Sequence, residues 1–186
     1  MRPGEVAAAV AGIGALDVVQ GLRRWPIPVM AALDWPAHVA TAALVLAAVR
    51  RPLAAETAAW ALAGSVVIDV DHVPLYLGLD RVAVGENGRP FTHSLTTAAA
   101  LFAGSRLAPG RTRTALTGLA AGTVLHFVRD VGTGPGAPLL WPFSRRNVRI
   151  PYGAYLAPVA AAALARARTR GIRIPRTAGA GTVGPA

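Results

Sequence analysis

Residues 66–72, Val-Val-Ile-Asp-Val-Asp-His, set two carboxylates and an imidazole directly against an apolar helical run. Ionisable groups beside an apolar helix are costly unless they are paired or hold a cation. Asp69, Asp71 and His72 therefore need partners from elsewhere in the chain, and any fold it adopts has to supply them. Alone, the triplet fits a capped helix end as well as a metal site. Asp is common at helix boundaries, and Pro74 stops a helix by itself.

The surrounding composition narrows the fold class. The chain has 186 residues, of which 53% are hydrophobic and only 15% charged. Its mean hydropathy is +0.44, too apolar for a typical soluble domain. No uninterrupted apolar run of about 20 residues stands out, so a membrane reading rests on several shorter, Ala-rich segments. The N-terminus is a poor signal peptide: it lacks a strong basic region, and Asp17 interrupts its apolar stretch. With no cysteine there are no disulfides and no thiolate ligands, so a metal would be held by His and carboxylate. All 19 basic residues are arginine. Despite the net charge of +10, they are spread among segment ends rather than set on a basic helix with aromatics. Membrane-flanking arginines account for them better than nucleic-acid binding does.

Apolar segments separated by breakers predict an all-α, multi-pass membrane bundle of five to six helices. The first covers residues 5–20. Residues 25–36, with three prolines, read as an irregular connection or a short helix. Further helices are expected at 37–49, 53–72, 92–108, 113–130 and 152–167, with polar or Gly/Pro-rich loops at 80–91 and 131–151. The domain is expected to span residues 1–167, followed by a disordered tail, 168–186. Helices of about 15 residues would span only about 23 Å, less than the hydrocarbon core of about 30 Å. Either their ends extend into the loops or some reach only partway.

The four histidines are not scattered. His38 opens the second main helix, His72 ends the third, His93 opens the fourth and His126 lies in the last turns of the fifth. Antiparallel neighbours, which short connections favour, bring all four imidazoles to one end of the bundle. Asp34 precedes His38 by four residues and Asp130 follows His126 by four, so each pair shares a helix face. Asp69 and His72, three apart, are compatible with one face too. A single buried histidine is usually just a hydrogen-bonded core residue; four at one end beside four aspartates point to a cation. His and carboxylate without Cys suit Zn, Mn or Fe, and the number of groups exceeds one tetrahedral site, leaving room for two metals.

Eleven arginines fall at the opposite end of this ladder or in the tail, and seven at the histidine end. That bias places both termini in the cytoplasm and the histidines at the outer face.

Three stretches then carry a family resemblance: Ile68-Asp69-Val70-Asp71-His72, Arg89-Pro90-Phe91-Thr92-His93-Ser94-Leu95 and Leu125-His126-Phe127-Val128-Arg129-Asp130. The last continues through Thr133 and Gly136 to Pro138-Leu139-Leu140-Trp141-Pro142, and His38 completes the pattern. The chain resembles the YdjM-like family of membrane-bound metal-dependent hydrolases, itself distantly similar to zinc-dependent phospholipase C and P1-type nucleases. The resemblance covers most of residues 35–145. It departs at Gly88, where the family usually has a histidine, and at Pro90, which replaces a glycine.

The resemblance implies a multi-pass protein of the inner (plasma) membrane that hydrolyses a phospholipid or other phosphoester. The expected ligands of a divalent metal, zinc before manganese or iron, are His38, Asp69, Asp71, His72, His93, His126 and Asp130. Asp69 or Asp71 could instead serve as general base. Arg89 would neutralise a phosphate or remain a solvated loop charge. Thr92 and Ser94 would orient a ligand or cap their helix. Trp141 is expected to anchor the 131–151 loop at the membrane interface. The alternative function is a non-catalytic membrane protein with a structural metal site or a partner-binding role. A transporter would need polar groups through the whole membrane thickness, yet here they gather at one end.

Overall fold

A computed structural model describes residues 1–79, 82–84 and 88–171. The parts of the expected 80–91 loop and disordered tail that fall at 80–81, 85–87 and 172–186 lie outside the described residues. The described chain is helical: α1 (Pro3–Gly21), α2 (Ile27–Ala48), α3 (Ala55–Val67), a 3₁₀ turn (Ile68–His72), the single-turn α4 (Val73–Tyr76), α5 (Leu95–Leu107), α6 (Gly110–Asp130) and α7 (Tyr152–Gly171). Among the described residues there is no strand, only isolated bridges joining Ala83 to Pro90 and Ala137 to Val148.

α2 and α7 run longer than the sequence predicts, whereas α3 gives way to the 3₁₀ turn after Val67 and α5 is shorter than the expected 92–108. The stretch 25–36 is no separate connection: α2 is one 22-residue helix that passes through Pro36. Pro36 removes one backbone donor, but its fixed φ suits a helix. Burial of Ala37, Ala42 and Leu44 on the same helix holds it together across the missing bond. α7 likewise passes through Pro158 and runs to Gly171, so residues 168–171 are helix rather than tail. α5 starts at Leu95 rather than Thr92. Ser94 is extended and makes no side-chain cap; the Thr92 hydroxyl instead donates to Asp71 Oδ2.

Three helical stretches are long and apolar enough to cross a membrane: Pro3–Gly21, Pro28–Ala48 and Ala55–Leu75, of 19, 21 and 21 residues. At about 1.5 Å per residue each reaches about 28–32 Å, which matches the hydrocarbon core. Val18, Leu22, Trp60, Val67, Val70, Phe102 and Leu107 stand exposed along these and neighbouring helices. Apolar surface on that scale suits lipid rather than water.

α1, α2 and α7 pack together around Val6, Ile13, Leu44, Ala163 and Ala167. α3, α5 and α6 form a second group, and α2 joins the two through Ala42, which meets Ala61 and Leu125. The Thr41 and Tyr155 hydroxyls hydrogen-bond at 2.5 Å inside the α2–α7 contact.

α3 and α6 approach almost backbone to backbone. A Cβ on Gly122 would overlap Ala61 O and Gly64 Cα, and one on Gly118 would lie 2.7 Å from Thr57 O. With lipid as solvent, such small-residue contacts replace the hydrophobic effect as the source of helix association. Gly122→Ala is therefore expected to destabilise the bundle by about 1–3 kcal/mol through overpacking. Gly104→Ala, whose new Cβ meets only Leu116 Cδ1 at 3.7 Å, is expected to be neutral or stabilising. Melting temperatures of the two variants in detergent test the contrast.

Candidate metal centre

Four segments bring ionisable groups to one end of the bundle. α2 contributes Asp34 and His38, one turn apart. The 3₁₀ turn contributes Asp69, Asp71 and His72; its three-residue repeat places Asp69 and His72 on one side. The segment before α5 contributes Arg89 and His93, held by Val84 N–H donating to Arg89 O (2.9 Å) and Phe91 N–H donating to Val82 O (3.0 Å). The last turns of α6 contribute His126 and Asp130.

These groups converge. Asp69 Oδ1 lies 3.5 Å from both His93 Nε2 and His126 Nε2. Asp130 Oδ2 lies 3.3 Å from His126 Nε2 and 3.7 Å from His93 Nε2. His38 Nε2 is 3.3 Å from Asp34 and 3.6 Å from Asp130, and its ring stacks on His126 with centroids 3.8 Å apart. His72 Nδ1 is 2.9 Å from Asp71 Oδ1 and 3.9 Å from Asp69 Oδ1.

The hydrogen bonds fix which imidazole nitrogens face inward. His126 Nδ1–H donates to the Ser65 carbonyl at 2.8 Å, and His93 Nδ1–H donates to Asp71 Oδ2 at 2.9 Å. In the neutral rings both Nε2 atoms are then bare lone pairs aimed at carboxylates. His93 Nε2 and His126 Nε2 are buried without a hydrogen-bond partner, and both face Asp130 Oδ2, whose cationic neighbour is Arg89 Nη1. Buried acceptors facing one another are unfavourable unless a proton or a cation lies between them. Three sets of donor atoms fall within 4.8 Å of one another: His38–Asp69–His126, Asp69–His72–His93 and His93–His126–Asp130. Nitrogen donors with carboxylate oxygens, with His93 and His126 each oriented by the other ring nitrogen, fit a divalent metal.

The charge balance agrees. Among the described residues of this region, Asp17, Asp34, Asp69, Asp71 and Asp130 meet Arg89 and Arg129, an excess of three negative charges with neutral imidazoles. Burial lowers the pKa of His93, yet the Asp69 and Asp71 carboxylates more than offset it and hold the pKa above the ordinary imidazole value.

Each expected site residue is in this cluster, though not in one role. His38, Asp69, His72, His93, His126 and Asp130 all belong to the three donor sets. Asp71 belongs to none; its oxygens face Thr92, His72 and His93, so it orients imidazoles. Arg89 is neither solvated nor free: its side chain is largely buried, and Nη1 sits 2.9 Å from Asp130 Oδ2. Gly88 is exposed at φ 74, a left-handed conformation that favours glycine.

A second polar layer was not read from the sequence. Buried Arg129 pairs with Asp17 at 2.5 Å and with Asp34 at 3.0 Å. Tyr152 O–H donates to Asp17 at 2.7 Å, and Gln20 Nε2–H donates to Asp34 at 3.4 Å. The signal was present as a lone Asp in apolar α1 and as Arg129 within the apolar last turns of α6, each costly unless paired with the other.

A model of the YdjM inner membrane protein family matches residues 33–183. The chain belongs to that family. No curated protein and no solved structure matches it. Membership and the three apolar helices together place this YdjM-family chain in a membrane.

Arg129→Met is expected to strand Asp17 and Asp34 and to cost about 3–5 kcal/mol, the penalty of breaking a buried ion pair. Asp17→Asn should cost less, because Arg129 keeps Asp34. Thermal unfolding of both variants in detergent checks the order; equal, negligible shifts would refute it.

Proposed function

We propose that this YdjM-family protein is a membrane-bound metal-dependent hydrolase of phospholipids or related phosphoesters, with its site at the outer face of the inner membrane. The observation that carries this reading is the pair of buried, unpartnered nitrogens His93 Nε2 and His126 Nε2, both facing the Asp69 and Asp130 carboxylates. The choice of a phosphoester bond follows the motif resemblance read from the sequence, and the His/carboxylate chemistry favours zinc before manganese or iron. A divalent metal held there would lower the pKa of a water towards about 7 and would so supply a hydrolytic nucleophile.

The chain's own residues divide the work. His38, His93, His126, Asp69 and Asp130 would hold the metal, and His72 would complete the set on the exposed side. Asp71 keeps the proton on His93 Nδ1, and Ser65 O does the same for His126. Asp69 is the carboxylate placed to accept a proton at the open edge. The side chains of Asp69, His72 and Arg89 are 15–19% exposed, whereas His38, His93, His126 and Asp130 are sealed. Substrate therefore approaches over Asp69, His72 and Arg89. Arg89 gives one of its five donors to Asp130 and offers its planar fork to a phosphate.

The near-complete burial of four of these side chains also favours a second reading, a structural metal site in a non-catalytic membrane protein. Metal analysis of detergent-purified protein, with assays on phospholipid and generic phosphodiesters, separates the two. Asp69→Asn, an isosteric change, and His126→Ala are each expected to lose metal and hydrolysis while helicity persists. The histidine variant should also lose about 1–3 kcal/mol, because Ser65 O is left unpaired. Metal without turnover in the wild type selects the structural reading; no metal and no turnover overturns both.

The orientation is tested separately. Reporter fusions after residues 51 and 110 are expected in the cytoplasm, and fusions within 132–150 outside. The reverse pattern overturns the outer-face placement but leaves the cluster intact.

A further inference from the structure

The 131–151 loop is a folded element that stands beside the cluster. Leu95 N–H donates to Leu139 O at 3.0 Å, and Thr96 O–H donates to Trp141 O at 2.5 Å, tying the loop to the start of α5 just after His93. The Trp141 ring lies 5.0 Å from that of Phe91. Val148 N–H donates to Ala137 O (2.8 Å) and Ile150 N–H to Val131 O (2.7 Å), closing the loop's base. Gly136, at φ 77, lies against Val148 O and the Arg149 stem, where no side chain would fit.

What this frame presents outward is unusual. A tight turn, in which Phe143 and Ser144 N–H both donate to Leu140 O, projects Phe143 at 94% exposure and Leu140 at 55%. Arg145, Arg146 and Arg149 follow directly and are exposed. Among the described residues none of the three has an ion-pair partner, and no Asp or Glu occurs in the sequence after Asp130. An apolar tip and unpaired arginines side by side suit the boundary between acyl chains and headgroups. The tip enters the chains while the guanidiniums meet negative charge. Neutral headgroups satisfy only the first half.

We propose that residues 140–149 form a docking surface for anionic phospholipid, with Leu140 and Phe143 inserted into the leaflet on the histidine side and Arg145, Arg146 and Arg149 on the lipid phosphates. Because Leu139 and Trp141 are bonded to the residues that follow His93, the surface fixes the height of the cluster against the headgroup layer. The proposal rests on the membrane placement of the family and not on hydrolysis.

The chain has no cysteine, so Phe143→Cys supplies a unique labelling site on an exposed tip. The labelled full-length protein, carrying an environment-sensitive fluorophore, is reconstituted in phosphatidylcholine vesicles with and without one part in three phosphatidylglycerol. The label is expected to be quenched by lipids bearing a nitroxide near the headgroup and shielded from aqueous iodide, more so in the anionic vesicles. In detergent, short-chain phosphatidylglycerol should bind more tightly than short-chain phosphatidylcholine. Arg145→Gln/Arg146→Gln/Arg149→Gln should erode that preference by about fivefold per arginine. An iodide quenching constant equal to that of the free fluorophore, or equal affinity for the two lipids in the wild type, overturns the proposal. Inorganic phosphate competing as well as the lipid would also overturn it, since the surface would then be a free-anion site. Metal content and phosphoesterase activity of the same samples keep a failure here distinct from a failure of the hydrolase reading.

Discussion

An uncompensated negative charge inside an apolar bundle governs this molecule. Of Asp69, Asp71 and Asp130, only Asp130 meets an arginine, Arg89, among the described ion pairs, and the His93 and His126 rings point bare Nε2 atoms at carboxylate oxygens. Desolvated charge of this kind costs several kcal/mol per group unless a counter-charge is present. The bundle has instead spent its polar contacts on orientation, through Ser65 O on His126 and Asp71 on His93. Such spending is rational only where the inward nitrogens meet a cation.

Arg129 extends that constraint across the fold. It joins α6 to α1 through Asp17 and to α2 through Asp34, and Asp34 in turn faces His38. The cluster and the three-helix group of α1, α2 and α7 are thus held by one polar chain. In a medium where apolar side chains gain nothing by leaving lipid, this chain and the glycine contacts carry much of the specificity of packing.

The convergence of the histidines was legible because it follows from counting helices: alternate direction and all four imidazoles fall at one end. The charged residues Asp17 and Arg129 were equally visible as letters, but their pairing depends on α1 and α6 lying close enough at that depth, which no local pattern encodes. The length of α2 was underestimated for a related reason. Pro36 is a breaker by local rule, and tertiary burial of Ala37, Ala42 and Leu44 overrides it. The role of Asp71 was illegible too. Asp69 and Asp71 differ by two letters in one motif, and only the 3₁₀ geometry turns one towards His126 and the other towards Thr92.

The glycine crossing and the cluster are one piece of design. Gly64 precedes Ser65, and a Cβ on Gly64 would lie 2.8 Å from Leu119 O, so α3 and α6 come this close only where side chains are absent. That closeness is what lets the Ser65 carbonyl reach His126 Nδ1 at 2.8 Å. Directly after it, α3 tightens into the 3₁₀ turn and carries Asp69 over to His126 Nε2. Widening the crossing by even one methyl group would therefore move the acceptor off one nitrogen of His126 and the carboxylate off the other. The packing of two helices against each other and the chemistry of their ends are fixed by the same few small residues.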